Sequence, residues 1–373
     1  MQFFHNSTSF ESGKISRHPH TALTLRFGLA YTSRSTNAII QPFPSLHNLK
    51  SIMLKPSLLL SLFVFGILIA LPSHADRYAY ITNQGSNDVS VIDLSRNKAV
   101  AQVPVGKSPV GVAASSRLAR VFISNVDGQS ITTIDIKTNE AISETPISGT
   151  PVGMVLSPDS TRLYVADWFE DRILELDTTT MAQIRQVKVE KAPAGMAVSP
   201  DGKHLYVVNR DSNDLAVIDI AHFRITSRIP VGNHPFGLTI NHDGTWLYVV
   251  NVQDNSLTAI NLLQQNETFT VTVGEHPYCA AVSRDGNTVY VSNTQGDSVS
   301  VIDMQQKKVI STIEVGGFPE GINYDNSTHR IYVANWFDNT VSVIDARNNQ
   351  RVATIATGTQ SRAFGQFIAE AAH

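Results

Sequence analysis

The sequence has a single cysteine, Cys279, among 373 residues. No intrachain disulfide can form, so stability must come from the folded core and its hydrogen bonds. Charged residues make up only 16% of the chain and hydrophobic residues 42%. This balance is typical of a chain that buries a sizeable core.

Local catalytic and cofactor motifs are also missing. The chain has no G-x-S-x-G, no C-x-x-C-H, no H-E-x-x-H, no phosphate-binding loop and no calcium-loop pattern of alternating acidic residues. A catalytic set assembled from distant segments would leave no such motif, so an enzyme is disfavoured but not excluded. We predict no cofactor and no metal site.

The N-terminal region differs from the rest of the chain. Met53 and Lys55 precede an apolar run over residues 58–71, and Ser73-His74-Ala75 follows as a small-x-small site. This order is that of a secretory signal peptide. The run of 14 residues is shorter than the roughly 20 of a spanning helix, although a retained anchor remains an alternative. We predict cleavage between Ala75 and Asp76.

Three segments follow from this interpretation. Residues 1–52 are an upstream mis-start or disordered, residues 53–75 are the signal peptide, and residues 76–373 form one domain. Translation then begins at Met53. We expect a periplasmic or secreted monomer without a stable membrane span after cleavage.

The predicted mature domain is acidic. Residues 1–75 carry six basic residues and one acidic residue, which leaves 23 basic and 31 acidic residues, a net charge of −8. Nucleic-acid binding needs a basic surface that displaces counterions. We therefore do not expect a nucleic-acid partner.

A repeat of 42 residues runs through the domain. Three landmarks share this period: a Y-V-x-N tetrapeptide, the last residue of a V-I-D motif, and a proline that follows V-G-x-x. Four short strands per repeat of 40–45 residues are typical of a β-propeller. The tetrapeptides begin at seven positions: Tyr80, Phe122, Tyr164, Tyr206, Tyr248, Tyr290 and Tyr332.

One repeat illustrates the four predicted strands, named a to d. They cover residues 237–240, 246–250, 257–260 and 269–273. Val, Ile and Tyr fill the strands, while Gly, Asp and Pro stand at the joints. The sequence therefore predicts an all-β, seven-bladed propeller with four-stranded antiparallel blades.

The two ends of the domain predict how the ring closes. The first repeat begins in strand b, at residues 77–82, and lacks strand a. Residues 364–368, FGQFI, follow the seventh repeat in strand-a position. We predict that this C-terminal strand completes the first blade and leaves no open sheet edge.

The motifs Y-V-T-N, V-S-V-I-D, V-G-x-x-P-x-G and S-P-D-G together resemble the YVTN-family β-propeller repeat of exported proteins. The resemblance covers essentially the whole of residues 76–373. It implies the fold and the compartment. The wider group is functionally mixed and includes proteins similar to sugar-lactonase propellers and to the haem-d1 domains of nitrite reductases, so function does not follow from the fold.

Candidate site residues are those at which one repeat departs from the others. Strand direction places the d–a and b–c loops on one face, where propeller ligands sit over the central channel. Aromatic, cationic and acidic side chains on these loops predict a pocket for a small ligand or peptide. The candidates are His234, Phe236, His276, Tyr278, Cys279, Glu320, Trp336, Arg362, Trp168 and Arg210.

Each candidate also has a structural interpretation. The aromatic residues can cap the channel and pack the loops. His234 and His276 can be polar surface residues rather than ligands. Cys279, which replaces a glycine, can be a packed thiol. Glu320 and Arg362 can form an ion pair with no further role.

Three functional hypotheses remain open. The leading one is an exported, non-catalytic scaffold that binds a partner protein, peptide or small ligand on the face of the b–c and d–a loops. The second is a lactonase-like hydrolase that uses Glu320, Arg362 and a histidine. The third is a haem-d1 or quinone-linked redox protein with His234 or His276 as the axial ligand.

Overall fold

The computed structural model describes residues 76–264 and 267–371. These residues form a seven-bladed propeller of β-strands with one short 3-10 helix, Arg210–Ser212. Within them, no helix has the length and apolar character that crossing a bilayer requires. The predicted signal peptide and the residues before it lie outside the described part of the chain.

Strands β1 to β11 lie in the first three blades, in chain order. Blade 1 contains β1 (Arg77–Asn83), β2 (Asp88–Asp93) and β3 (Lys98–Pro104). Blade 2 contains β4 (Pro109–Ser115), β5 (Arg120–Asn125), β6 (Ser130–Asp135) and β7 (Glu140–Pro146). Blade 3 contains β8 (Pro151–Leu156), β9 (Arg162–Asp167), β10 (Arg172–Asp177) and β11 (Gln183–Lys188).

The next four blades follow the same order. Blade 4 contains β12 (Pro193–Val198), β13 (His204–Asn209), β14 (Asp214–Asp219) and β15 (Arg224–Pro230). Blade 5 contains β16 (Pro235–Ile240), β17 (Trp246–Asn251), β18 (Ser256–Asn261) and β19 (Thr268–Thr272). Blade 6 contains β20 (Pro277–Val282), β21 (Thr288–Asn293), β22 (Ser298–Asp303) and β23 (Lys308–Glu314). Blade 7 contains β24 (Pro319–Asp325), β25 (Arg330–Asn335), β26 (Thr340–Asp345) and β27 (Gln350–Ala356).

Burial changes from the second strand of a blade to its outermost strand. In β17 all residues after Trp246 are buried, because this strand is covered on both faces by the neighbouring blades. In β23 exposed residues alternate with partly or fully buried ones, because this strand is the outer edge of its sheet. The period-two pattern of the outer strands is therefore that of a half-buried surface.

The repeated asparagine of Y-V-x-N joins strands b and c. Asn251 Nδ2 donates to Ser256 Oγ at 3.1 Å and to Thr258 Oγ1 at 2.9 Å, and Asn293 makes the same two contacts in blade 6. The repeated V-I-D aspartate caps the c–d turn, as in Asp303, whose Oδ1 accepts the backbone N–H groups of Gln305 and Gln306. Both motifs thus stabilise the scaffold.

The predicted closure is correct in kind, but the pairing residues differ. The last strand, β29 (Ile368–Glu370), pairs antiparallel with β1, with Arg77 opposite Glu370. The preceding strand, β28 (Phe364–Gln366), instead pairs parallel with β4 of blade 2 and makes that sheet five-stranded. The prediction that residues 364–368 form the closing strand is therefore wrong in register.

The register shows where the extra chain goes. In blade 7, Pro319 pairs with Asn335 and Ile322 with Val333. In blade 1, Ser361 bridges to Asn83, and regular pairing resumes only at Ile368 with Ala79. The closing segment therefore contains more residues than its counterpart before regular pairing resumes, and β28 accommodates them.

Gly365 allows this detour. Its φ is 118°, in the region that favours glycine, and a Cβ atom there would lie 2.3 Å from Val112 O. The close approach of β28 to β4 therefore needs a residue without a side chain. This detour also places Phe364 beside the central channel.

Candidate functional site

The d–a and b–c loops lie on one face of the propeller, as predicted from strand direction. Within each blade they are joined by backbone hydrogen bonds: Trp336 N donates to Phe318 O at 3.0 Å, and Thr294 N donates to His276 O at 2.9 Å. The a–b and c–d turns lie at the other ends of the strands. We refer to the first surface as the loop face.

Five candidates lie at or next to the starts of the innermost strands, and they are buried. The sequence pattern places these positions on loops, whereas the structure places Phe236, Tyr278, Cys279 and Glu320 within strand a and Arg362 just before β28. The P-x-G stretch belongs to strand a, where neighbouring blades crowd around the axis. Their exposed fractions are 1% for Phe236, 9% for Tyr278, 7% for Cys279, 4% for Glu320 and 5% for Arg362.

Three aromatic rings meet at the axis. The Phe236 ring centroid lies 4.2 Å from that of Tyr278 and 4.8 Å from that of Phe364. Rings at these separations interact favourably beyond their buried area. We call Phe236, Tyr278 and Phe364 the aromatic plug. Phe364 comes from β28, so the plug depends on the closing segment.

A cavity of about 400 Å³ occupies the central channel. Its lining includes Gly153–Leu156, Pro158, Gly195–Val198 and Gly237–Ile240, so it extends along the innermost strands to the a–b turn that contains Pro158. Cys279 and Phe364 line it, whereas Tyr278, Glu320 and Arg362 are not among its lining residues. The cavity thus extends toward the face opposite the loop face.

Glu320 and Arg362 form a buried ion pair. Arg362 Nη1 lies 3.2 Å from Glu320 Oε2, but the contact lacks hydrogen-bond geometry, and Oε2 has no hydrogen-bond partner among the described residues. Arg362 Nε donates to Gln84 Oε1 at 2.8 Å. Burial raises the pKa of Glu320 to about 7, although the charge of Arg362 opposes the shift.

Tyr278 lies within the field of this pair. Burial raises the pKa of its hydroxyl well above the ordinary value; the charge of Glu320 adds to the shift, and those of Arg362 and Arg210 oppose it. The hydroxyl is therefore a neutral donor at physiological pH. It is buried and has no hydrogen-bond partner within the described residues.

Trp336 completes the group. The Arg362 guanidinium carbon lies 5.9 Å from the Trp336 ring centroid, and the Phe318 centroid lies 5.8 Å from it. The indole Nε1 is buried and makes no hydrogen bond in the part of the chain that the structure describes. We call Tyr278, Glu320, Trp336 and Arg362 the mouth cluster.

A related pair lies on another sector of the loop face. The Arg210 guanidinium carbon lies 5.9 Å from the Trp168 ring, and Trp168 lies 6.1 Å from Phe236. Arg210 also pairs with Asp211 at 2.6 Å, in the same loop. Trp168 and Arg210 are only half-buried. The plug residue Phe236 thus connects this pair to Tyr278.

The two histidines lie in d–a loops and are half-buried. Burial, and then the charge of Arg210, lowers the pKa of His234. Its Nδ1 is buried and unpartnered among the described residues. The structure brings His234 toward Arg210, whereas the contacts of His276 are backbone bonds to Asn255 and Thr294.

Cys279 is a packed thiol. Burial raises its pKa well above the ordinary value, and the charge of Glu320 adds to the shift, so the reactive thiolate is disfavoured. Its N–H contacts Ser292 Oγ at 3.1 Å, and that hydroxyl donates to Glu320 O at 2.7 Å. Cys279 thus lies at the seam between blades 6 and 7.

Two contributors are not among the predicted site residues. Gln84 follows the first Y-x-x-N tetrapeptide, and Phe364 is predicted only as part of the closing strand. Ring closure brings Gln84 next to Arg362 and Phe364 next to Phe236, although these residues are far apart in sequence. Gln84 could have been predicted as a contributor because it lies in the b–c loop of the blade that the C-terminal segment completes.

Comparison with known proteins supports the fold. The family description "Lactonase, 7-bladed beta-propeller" matches residues 154–279. No curated protein matches the chain at a significant level.

Solved structures of similar fold come from several organisms. Hydrazine synthase from Kuenenia stuttgartiensis has a TM-score of 0.66 at 21% identity over 74% of this chain and 92% of that one. A functionally unknown protein from Desulfotomaculum acetoxidans DSM 771 has a TM-score of 0.67 at 15% identity, and the match covers 76% of this chain and 97% of that one. Dihydro-heme d1 dehydrogenase NirN in complex with DHE has a TM-score of 0.59 at 16% identity, and the match covers 78% of this chain and 66% of that one. These likenesses show the propeller fold.

The central channel does not present the axial ligand that the haem-d1 hypothesis requires. That ligand would be His234 or His276, and neither residue lines the cavity. Among residues 76–264 and 267–371, no group of three or more His, Cys, Asp or Glu side chains is placed to hold a metal ion. Neither predicted axial histidine therefore reaches the central cavity, and axial ligation by either one stays a prediction.

Proposed function

We propose that this chain is a ligand-binding propeller that takes a small polar molecule at the mouth cluster on the loop face. The ligand is held by groups from blades 6, 7 and 1, next to the aromatic plug. This proposal selects the small-ligand form of the scaffold hypothesis over a partner protein or peptide.

One observation carries the proposal. Tyr278 Oη, Glu320 Oε2 and Trp336 Nε1 are buried and lack hydrogen-bond partners among the described residues. Arg362 contacts Glu320 and the Trp336 ring, and its charge acts on Tyr278. An unpaired buried polar group costs about 1–3 kcal/mol, more if charged. Buried polar groups in folded proteins usually have a hydrogen-bond partner, from the protein or from another molecule. A ligand that supplies both an acceptor and a donor would satisfy all three.

The surroundings support the same conclusion. Pockets for small molecules combine aromatic walls with a few convergent polar groups. Phe236, Trp336 and Phe318 provide rings here, and Arg362 provides a fixed charge. Arg362 is itself positioned by Gln84 and by the bond from its N–H to Thr82 O at 2.8 Å.

Native mass spectrometry of the purified protein tests the proposal. We expect a small molecule to copurify with wild type and to be lost from Tyr278→Phe, which removes only the unpaired hydroxyl. Asn287→Ala, in an a–b turn on the opposite face, is the matched control and should retain the ligand. Retention by Tyr278→Phe together with loss from Asn287→Ala would place the site on the other face.

A lactone hydrolase is the second candidate. A carboxyl group with a pKa of about 7 beside a guanidinium suits general acid–base catalysis, and the matching family description concerns lactonases. Glu320 would take a proton from the attacking water and Arg362 would stabilise the carbonyl oxyanion. The ring C–O bond would then break, and Glu320 would return the proton to the leaving oxygen. Proton release from a panel of lactones, lost in Glu320→Gln, tests it.

We further propose that the protein is exported. The n-region, the apolar run and the small-x-small site before Asp76 support this. N-terminal sequencing of protein recovered outside the cytoplasm should begin at Asp76. A mature chain that retains residues before Asp76 would contradict the predicted cleavage.

A further inference from the structure

The wall of the central cavity carries no charged side chain among the residues that the structure describes. Most of the wall is aliphatic, and apart from the thiol of Cys279 its polar side chains are Thr239, Asn323 and Gln366. Asn323 is already used within the protein, because its Nδ2 donates to Gly365 O at 3.0 Å. An ion that entered this space would lose hydration without gaining a counter-charge. The cavity therefore favours an uncharged occupant.

The cavity opens toward the a–b turns rather than toward the loop face. Gly237 and Cys279 line it, and each directly follows a residue of the aromatic plug. Since strand a runs from the loop face to the a–b turn, the plug lies between the cavity and the loop face. In β8 and β16 the first three residues are buried, whereas the last residues, Leu156 and Ile240, are half-buried and line the cavity. An occupant would therefore enter from the turn face.

The innermost strands also present backbone edges to this cavity. β8, β12, β16 and β20 each stand at the end of a four-stranded sheet, and no strand of the described chain pairs with their inner sides. All four contribute to the cavity wall. An edge strand presents a row of N–H and C=O groups that can pair with a further group. The wall thus offers hydrogen-bond donors and acceptors that carry no charge.

The closing segment shows how such an inner edge is used. β28 pairs parallel with β4, with Phe364 opposite Gly111 and Gln366 opposite Ala113, and it covers the inner edge of blade 2. The cavity of about 400 Å³ lies beside β28 and borders the inner edges of the next four blades. This volume is within the range of roughly 300–1,000 Å³ for small-molecule pockets. A small amide could pair with these edges as β28 pairs with β4.

We propose that the central cavity binds a small uncharged molecule that carries an amide group on an apolar body. The amide donates to and accepts from the inner edges of the lining strands, and the apolar body packs against Leu156, Leu238 and Ile240. This site lies on the other side of the aromatic plug from the mouth cluster. The inference therefore does not rest on the proposed function.

Four compounds of similar size test the ligand class. Titrations followed by saturation-transfer NMR at pH 7 compare acetanilide, an uncharged amide, with the anion phenylacetate and the cation of 2-phenylethylamine. We expect acetanilide to bind and both ions to bind at least tenfold more weakly, because they would be desolvated without a counter-charge. N-methylacetanilide keeps the carbonyl but lacks the N–H, so it should bind several-fold more weakly than acetanilide.

Variants that fill the cavity test its location. Ala280 is half-buried and lines the cavity, so Ala280→Phe should weaken acetanilide binding more than tenfold. Ile240→Trp narrows the turn-face end from the neighbouring blade and should have the same effect, which keeps the test decisive if one variant fails to fold. Ala141→Phe adds the same ring to the exposed outer strand β7 and is the matched control, which should bind as wild type does.

Each outcome decides one part of the proposal. Acetanilide binding that is weakened by the filling variants and unchanged in Ala141→Phe supports the cavity site. Equal binding of either ion, or of N-methylacetanilide, overturns the ligand class. No binding of acetanilide, or binding unchanged in both filling variants, overturns the site itself. The copurified ligand lost from Tyr278→Phe concerns the mouth cluster, so that result stands or fails independently.

Discussion

Two tryptophan–arginine pairs on the loop face share a sequence pattern and differ in their surroundings. Trp168 and Trp336 each begin a W-F-acidic loop, and each has an arginine 5.9 Å from its ring. Arg210 is partly exposed and pairs with the adjacent residue Asp211. Arg362 is buried and pairs with Glu320 of another blade. Burial and partner, rather than motif, therefore distinguish a surface contact from a candidate site.

The difference follows from where the arginines stand. Arg210 belongs to a b–c loop and to the short helix Arg210–Ser212, at the edge of the mouth. Arg362 precedes β28 in the segment that closes the ring, where the innermost strands converge. The same residue type thus meets a high-dielectric surface in one case and a desolvated interior in the other.

The largest expected effect comes from removing the closing segment. Deleting residues 364–373 removes Phe364 and Phe367, which are 6% and 0% exposed, and leaves β1 without its inner partner. We expect a loss of more than about 4 kcal/mol of unfolding free energy, measured by denaturant unfolding. This segment also holds Arg362 beside Trp336, so we expect the environment of Trp336 to change more than that of Trp168. An unfolding curve like that of the full chain would contradict the observed closure.

Truncating the two arginines compares the pairs directly. At pH 8, Arg362→Met leaves the Glu320 carboxylate buried without its counter-ion, which should cost about 3 kcal/mol. Arg210→Met breaks a partly exposed pair and should cost less than about 1 kcal/mol. Thermal or urea unfolding of both variants measures the contrast. Similar losses would show that burial does not separate the two pairs.

Titration of Glu320 predicts a stability change with pH. Its pKa rises from 4.5 to about 7 on folding, so the folded state binds the extra proton between these values. Stability should therefore fall as pH rises from about 4.5 to 7, by up to about 3 kcal/mol. Glu320→Gln should remove this component and be at least as stable as wild type at pH 8. A pH profile of unfolding unchanged by the substitution would contradict the shift.

We expect the smallest loss of stability from substitution of the two tryptophan rings. Trp336→Phe and Trp168→Phe should each cost about 1 kcal/mol, because each weakens a cation–π contact and loses some packing. Ligand binding should separate the variants: Trp336→Phe loses the Nε1 donor of the mouth cluster, whereas Trp168→Phe should bind nearly as wild type. Equal binding losses would extend the site to the Trp168 side.

Much of the fold is predictable from residue patterns. In blade 5, strand b is predicted over residues 246–250 and the structure has Trp246–Asn251, and strand c is predicted over 257–260 and lies at Ser256–Asn261. Local strand propensity and turn chemistry act over a few residues, and the same pattern recurs in all seven repeats, so the strands can be predicted from local sequence. The register of the closing segment is not predictable in this way because it depends on contacts between chain ends.

The members of the mouth cluster are predictable from the sequence, but their arrangement is not. Departures between repeats correctly point to Tyr278, Glu320 and Arg362 as neighbours, because equal positions in successive blades meet at the axis. Their burial is missed, because alternation along one strand does not reveal how closely the innermost strands of the ring approach. Gln84 is missed because its partner Arg362 lies 278 positions away in the chain.

The sequence by itself determined the seven-bladed architecture, the shared loop face and the positions where the repeats differ, since these follow from a period of 42 residues and strand direction. Only the tertiary structure decided that β28 leaves its blade, that Phe364 joins the plug, and that Glu320 and Arg362 are desolvated together. Those features arise from packing seven innermost strands around one axis. The dielectric and the unpaired groups of a site depend on that crowding, not on local residue order.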